Sequence, residues 1–364
     1  MNDEHLAEVK TQLAAACAVA KAIEDKLDGL IAASQQPPPL LAFVHIPKTA
    51  GATTKVMLAN AYSGRALRDA GNFVTGKDQT ERRVAFRSGG WDRWRRRGGR
   101  ATVGHVPYGL YRRYLPEDTR YMTFLREPVE RVLSYYHRHL RLTGTGLDQH
   151  RRRRGLMLVE SIDEAFDRRL PEVCNLATRF LCGDASPFGT LSDASLDAAK
   201  DNLREFAFVG IQERFEESIV LLQRLLGLGL VPYVDMHVSE GRVRTEDLSP
   251  EVHARIRDHN QLDSELYDFA LSLFDETVDA VGDGFADEVE SLRAGADEES
   301  AKAIGIAQEW VDRELPRGAA RARDDVYAAA AAAGVSRVAI RHAFATLSLR
   351  TDMDEEGRVI FVRA

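Results

Sequence analysis

Cysteine is scarce in this 364-residue chain. Its three thiols, Cys17, Cys174 and Cys182, have neither metal-ligand spacing nor the density of a disulfide framework, which sets aside zinc-stapled and disulfide-stapled folds and fits a reducing compartment. No run approaches the ~20 apolar residues of a membrane-spanning helix. The first residues also lack the basic-then-apolar order of a signal peptide. Missing too is the Walker A order G-x-x-x-x-G-K-[ST]. Lys48, the lysine of the most informative loop, precedes Gly51, which excludes the ATPase version of a phosphate loop.

What is present is an apolar run, Leu40 to Ile46, that empties through Pro47 into Lys48, Thr49, Ala50, Gly51, Ala52, Thr53 and Thr54. The run reads as a buried parallel strand, and Lys55 to Tyr62 reads as a helix. Backbone N–H groups of such a loop face the positive end of the helix dipole, so an anion is expected there. A second unit follows about 70 residues on. Tyr121 to Leu125 is strand-like, Arg126, Glu127 and Pro128 end it, and a helical pattern carries Ser134. Arg126 would leave the C-terminal end of a strand, where open α/β sheets bind ligands, with Ser134 two helical turns further on. A guanidinium fork and a hydroxyl suit a phosphate dianion. Between the two units, Ala101 to Gly104 forms another short apolar strand that ends in His105.

These three elements together resemble the sulfotransferases that use 3'-phosphoadenosine 5'-phosphosulfate (PAPS). Pro47 to Thr53 is similar to that family's 5'-phosphosulfate loop, and Arg126 with Ser134 to its 3'-phosphate ligands. Gly104-His105-Val106 resembles the element carrying the catalytic base in the branch that includes heparan sulfate 2-O-sulfotransferase and uronyl 2-O-sulfotransferase. Further likeness lies in Asn175 to Gly183, Phe208 to Phe215 and Asn260 to Tyr267, so it spans roughly residues 40 to 275. Two positions depart from the pattern: Ala52 replaces a hydroxyl residue found in many members, and Glu127 replaces an aspartate.

The resemblance implies a three-layer α/β fold around a parallel sheet, like that of P-loop proteins, and an O-sulfotransferase acting on a hydroxyl, most readily a carbohydrate's. Lys48 would offset charge on the leaving phosphate and His105 would remove the acceptor proton, without a metal. A lipid, peptide or small-metabolite acceptor is the alternative, and a non-catalytic regulatory protein the remaining one. His45 is read as a packing residue of the strand. Animal members of the family carry a membrane anchor, and the lack of one here leads to the expectation of a cytoplasmic, bacterial-type protein.

Residues 1–36 place Leu6, Val9, Leu13, Ala16, Ala20, Ile23, Leu27 and Leu30 at alternating spacings of three and four, a heptad seam expected to form a coiled coil and to drive homo-oligomerisation. Three prolines, Pro37 to Pro39, separate it from a catalytic domain over 37–282. Residues 283–364 read as a helical linker and a small winged-helix-like unit, with a Gly334-Val335-Ser336 turn between two helices. Charge is uneven: residues 37–160 hold 24 Lys/Arg against 10 Asp/Glu, and residues 161–364 hold 22 against 40. The basic segment, including Arg93, Arg95, Arg96, Arg97 and Arg100, would steer an anionic donor. The acidic setting of the tail argues against nucleic acid as its partner.

Overall fold

The computed structural model describes residues 39–62, 66–72, 90–141, 157–183, 190–227, 248–335, 349–354 and 358–363, with a few single positions between and before them. The heptad seam of residues 1–36 and most of the expected second tail helix, 337–347, lie outside the described residues.

Five strands make one parallel sheet: β1 (Leu41–Val44), β2 (Leu67–Asn72), β3 (Ala101–His105), β4 (Arg120–Leu125) and β5 (Phe208–Ile211), in the order β2-β3-β1-β4-β5. Central strands of a parallel sheet are covered on both faces, and β1 accordingly is apolar and buried at every position. In register, Leu41 faces Ala101 on one side and Arg120 on the other. The chain after β1 departs toward β2, whereas the chain after β4 departs toward β5. The crevice between the C-terminal ends of β1 and β4 is therefore the topological switch point, where open α/β sheets bind ligands.

The helices are α1 (Gly51–Ala61), α2 (Trp91–Arg96), α3 (Tyr108–Tyr114), α4 (Pro128–Tyr135), α5 (Ile162–Asp167), α6 (Leu176–Leu181), α7 (Asp193–Glu205), α8 (Phe215–Leu225), α9 (Pro250–Asp258), α10 (Gln261–Val281) and α11 (Phe285–Glu314). Ser249 caps α9 by accepting from Val252 N, with Pro250 at the first position. The chain breaks between α9 and α10 at His259 and Asn260, where the Asn260 amide donates to Val173 O and Ile256 O at 2.8 and 2.9 Å. Buried Asp263 then accepts from Ala177 N, Thr178 N and Thr178 Oγ1 at 2.8–2.9 Å, closing the N-terminus of α6. Two stretches that carry the family likeness, 175–183 and 260–267, are thus bonded to each other.

Beyond the Gly282–Gly284 turn, α11 contributes Phe285, Val289 and Leu292 to the main core and Ala307, Trp310 and Val311 to a second one. The first half of this helix packs with the sheet domain although the sequence reading assigns it to the tail. The second core also holds Val326 and Tyr327 of α12 (Arg323–Ala332) and Phe361. It sits beside an antiparallel sheet of β6 (Ala320–Ala322), β7 (Leu349–Met353) and β8 (Val359–Arg363), in the order β6-β8-β7.

Candidate active site

The loop between β1 and α1 is held in an uncommon conformation. Lys48 and Ala50 both have positive φ, 74° and 56°, a region non-glycine residues rarely enter and one that often accompanies a functional constraint. Thr49 Oγ1 donates to Ile46 O at 2.8 Å, and Thr54 Oγ1 donates to Ala50 O at 3.2 Å. Those two hydroxyl protons therefore stabilise the loop itself and do not point to an external ligand. Thr53 differs: its Oγ1 is buried with no hydrogen-bond partner among the described residues. Ala50 N donates to Gln212 Oε1 at 2.8 Å. No side chain caps α1, so the first-turn N–H groups at Gly51, Ala52 and Thr53 are open to an acceptor from outside.

Across the switch point, Arg126 leaves β4 with Nη1 3.5 Å from Lys48 O and Nη2 donating to Glu130 Oε2 at 2.9 Å. Its Nε lies 3.8 Å from Glu213 Oε1. Glu130 also accepts from Thr245 Oγ1. Glu130 and Ser134 are one helical turn apart on the partly exposed side of α4, so a carboxylate stands between the two side chains expected to hold a 3'-phosphate. Glu213 is itself fixed by Tyr267 Oη at 2.8 Å and by Glu127 N at 3.2 Å.

His105 ends β3 on the other side of β1. Its Nδ1 lies 2.8 Å from His45 O. A carbonyl can only accept, so Nδ1 carries the proton and Nε2 keeps its lone pair. Burial pushes the His105 pKa below its usual value; the His45 carbonyl and Asp69 oppose this, and Lys55 and Lys48 add to it. The ring is therefore neutral at pH 7. Gly104 is required beside it, because a Cβ there would come within 2.8 Å of Gly71 O, where β2 bulges between Asp69 and Gly71. On the rim, Lys55 Nζ meets Asp69 Oδ2 at 2.6 Å, and Gly71 N donates to Asp69 Oδ1 at 2.9 Å. Burial works against ionised Asp69, but these bonds hold its pKa down.

The structure thus brings Lys48, Thr53, the α1 N-terminus, Arg126 and His105 to one end of the sheet. The arginines of α2 go elsewhere. Arg93, Arg96 and Arg97 are exposed just before β3 begins, and Arg95 pairs with Asp118 ahead of β4. They lie at the opposite end of β3 from His105, about 13 Å away at ~3.3 Å per residue. This part of the basic segment lies away from the site. Arg151, Arg153 and Arg154 lie outside the described residues.

A family model described as Galactose-3-O-sulfotransferase matches residues 175–319. Heparan sulfate 2-O-sulfotransferase 1 of Mus musculus and that of Homo sapiens are each 28% identical over 185 residues, 47% of this chain and 52% of theirs. These matches support a relationship to the carbohydrate sulfotransferases. Heparan-sulfate 6-O-sulfotransferase 2 of Danio rerio is 35% identical over 80 residues, 22% of this chain and 17% of its own length. The chain spans about half the length of the 2-O-sulfotransferases it matches.

For a sulfotransferase the implied co-substrate is PAPS, and the residues fit its anionic ends. An orphan buried hydroxyl on Thr53, the open first-turn N–H groups of α1 and Lys48 would hold one anionic end, and Arg126 with Ser134 the other. Gln212, Glu130, Glu213 and the Lys55–Asp69 pair are parts of the site that the sequence reading does not single out.

Proposed function

We propose that this chain is a PAPS-dependent O-sulfotransferase whose acceptor is a carbohydrate hydroxyl. The observation that carries this reading is the convergence at one switch point of an uncapped helix N-terminus, the Arg126 fork and an imidazole with a free Nε2. PAPS, when bound, supplies the sulfuryl group. Lys48 and the first-turn N–H groups of α1 hold the 5'-phosphate end and offset the negative charge that grows on the departing phosphate. Arg126 and Ser134 hold the 3'-phosphate. His105 takes the acceptor hydroxyl proton at Nε2 as the oxygen attacks; a base in that role typically contributes about 10²- to 10⁴-fold in rate. Positioning and electrostatics dominate such transfers.

The tail deepens this reading. A helix, β6, α12, further helical residues and the β7–β8 ribbon follow the order of a winged helix, and we assign it to contact with protein or acceptor, since its half of the chain is acidic. Self-association through residues 1–36 and a cytoplasmic location complete the proposal. The deciding experiment is transfer of radiolabelled sulfate from PAPS to a panel of glycans, with lipids, peptides and small metabolites beside them. Label on a glycan hydroxyl supports the reading, label confined to another class replaces the acceptor, and no label on any acceptor sinks it.

A further inference from the structure

The sequence reads His45 as a packing residue, yet its ring stands inside the site. It stacks on Phe43, with centroids 5.0 Å apart, and lies 4.1 Å from the His105 ring at 35°. A Cβ built on Gly51 would fall 1.6 Å from His45 Nε2 and 2.1 Å from Cε1. The imidazole therefore occupies the space directly over the first residue of α1. Gly51 begins an ordinary helix and is not among the positive-φ glycines, so its backbone alone would accept alanine, the better helix former. The neighbouring ring is what forbids a side chain there.

We propose that His45 is a positioning residue of the transfer reaction, its imidazole wedged between His105 and Gly51 so that the proton acceptor and the phosphate-binding helix keep a fixed separation. This rests on the sulfotransferase reading. Any residue at position 45 would supply the carbonyl that fixes the His105 tautomer, but only a flat ring fills the gap beside a glycine. Around the two imidazoles stand Lys48 from the loop, Lys55 from α1 and Asp69 from β2. The glycine at 51 and the histidine at 45 form a matched pair: a larger residue at one requires a smaller residue at the other.

Two readouts test this without any acceptor: affinity for 3'-phosphoadenosine 5'-phosphate, and the His105 titration followed by ¹⁵N NMR. Gly51→Ala should weaken the nucleotide at least tenfold, and His45→Ala combined with Gly51→Ala should restore it to within about threefold of His45→Ala alone. His45→Ala should let water reach His105 and raise its midpoint toward the ordinary value, whereas His45→Phe, which keeps a ring, should leave the midpoint near wild type. A double variant no better than Gly51→Ala overturns the pairing. So does wild-type affinity in Gly51→Ala. An unchanged His105 midpoint in His45→Ala, or a His45→Phe midpoint moved as far as that of His45→Ala, overturns the wedge. If the wild-type chain binds no nucleotide, the functional reading fails instead, while the titration still judges the contact between the rings.

Discussion

Two strand–loop–helix units face each other across β1 and β4, and they treat their helix ends in opposite ways. At α1 the N-cap is Ala50, whose side chain accepts nothing, and the first-turn donors stay open. At α4 Glu127 accepts from Glu130 N at 2.8 Å and Pro128 fills the first position. The first unit leaves its backbone donors open; the second closes its own backbone and presents the Arg126 side chain instead. One supersecondary unit can therefore bind an anion by dipole or by guanidinium, and the capping residue decides which. Backbone donors change little with sequence, so the second unit is the one that substitution can tune.

The largest effect should come from the group outside both units. His105→Ala is expected to lower turnover by about 10²-fold or more while leaving nucleotide affinity within a few-fold; equal turnover would place the base elsewhere. In the wild type, kcat/KM should rise with pH through a midpoint below the ordinary histidine value of about 6.5 and then level off, because burial depresses the His105 pKa.

Next comes the guanidinium. Arg126→Ala should weaken 3'-phosphoadenosine 5'-phosphate by about tenfold or more, the scale of a lost charge-assisted hydrogen bond at about 1.5–3 kcal/mol, with AMP affected far less. Calorimetric titration of both nucleotides separates the units: equal losses for AMP would mean that Arg126 does not read the 3'-phosphate.

Glu130→Gln removes the carboxylate that pairs with Arg126 in the chain alone. Nucleotide affinity is expected to increase a few-fold, since a phosphate no longer competes with that charge. A decrease would show that Glu130 orients the fork for binding.

Glu127→Ala tests the closed helix end. Loss of a cap costs about 1 kcal/mol, a melting point lower by a few degrees for a domain this size, and the same substitution should leave nucleotide affinity nearly unchanged. Acid should destabilise the chain as well. His45 and His105 both have folded pKa values below their unfolded ones, so their contribution is intact above about pH 6.5 and is lost as pH falls from there toward the folded values. Melting points of the His105→Ala variant should show a shallower decline over that interval.

The strands legible in the sequence are those buried on both faces. β1, β3 and β4 are apolar runs bounded by loop residues, and their C-terminal ends carry Lys48, His105 and Arg126. β2 reads Leu-Arg-Asp-Ala-Gly-Asn and has no such pattern, because an edge strand is defined by what it pairs with. The same division holds in the site. Residues whose chemistry depends on spacing along the chain can be read from it, but Gln212 meets Ala50 across 162 positions, and Glu213 meets Glu127 across 86. Thr49 and Thr54 show the converse: the right residue types in the right loop, with their protons turned inward.

The helix α11 runs 30 residues, about 45 Å at 1.5 Å per residue, with one end in each hydrophobic core. Between them Asp297, Glu298, Ala301 and Lys302 are exposed, and the helix there is held by its own hydrogen bonds. Gly305, just past this stretch, lowers the helix propensity at its edge. Amide exchange along this single helix should thus be slow at both ends and fastest at the waist, the reverse of the fraying seen at ordinary helix termini. Melting of the small core would then stop at that waist instead of spreading into the sheet, so the chain unravels in two cooperative steps along one uninterrupted helix.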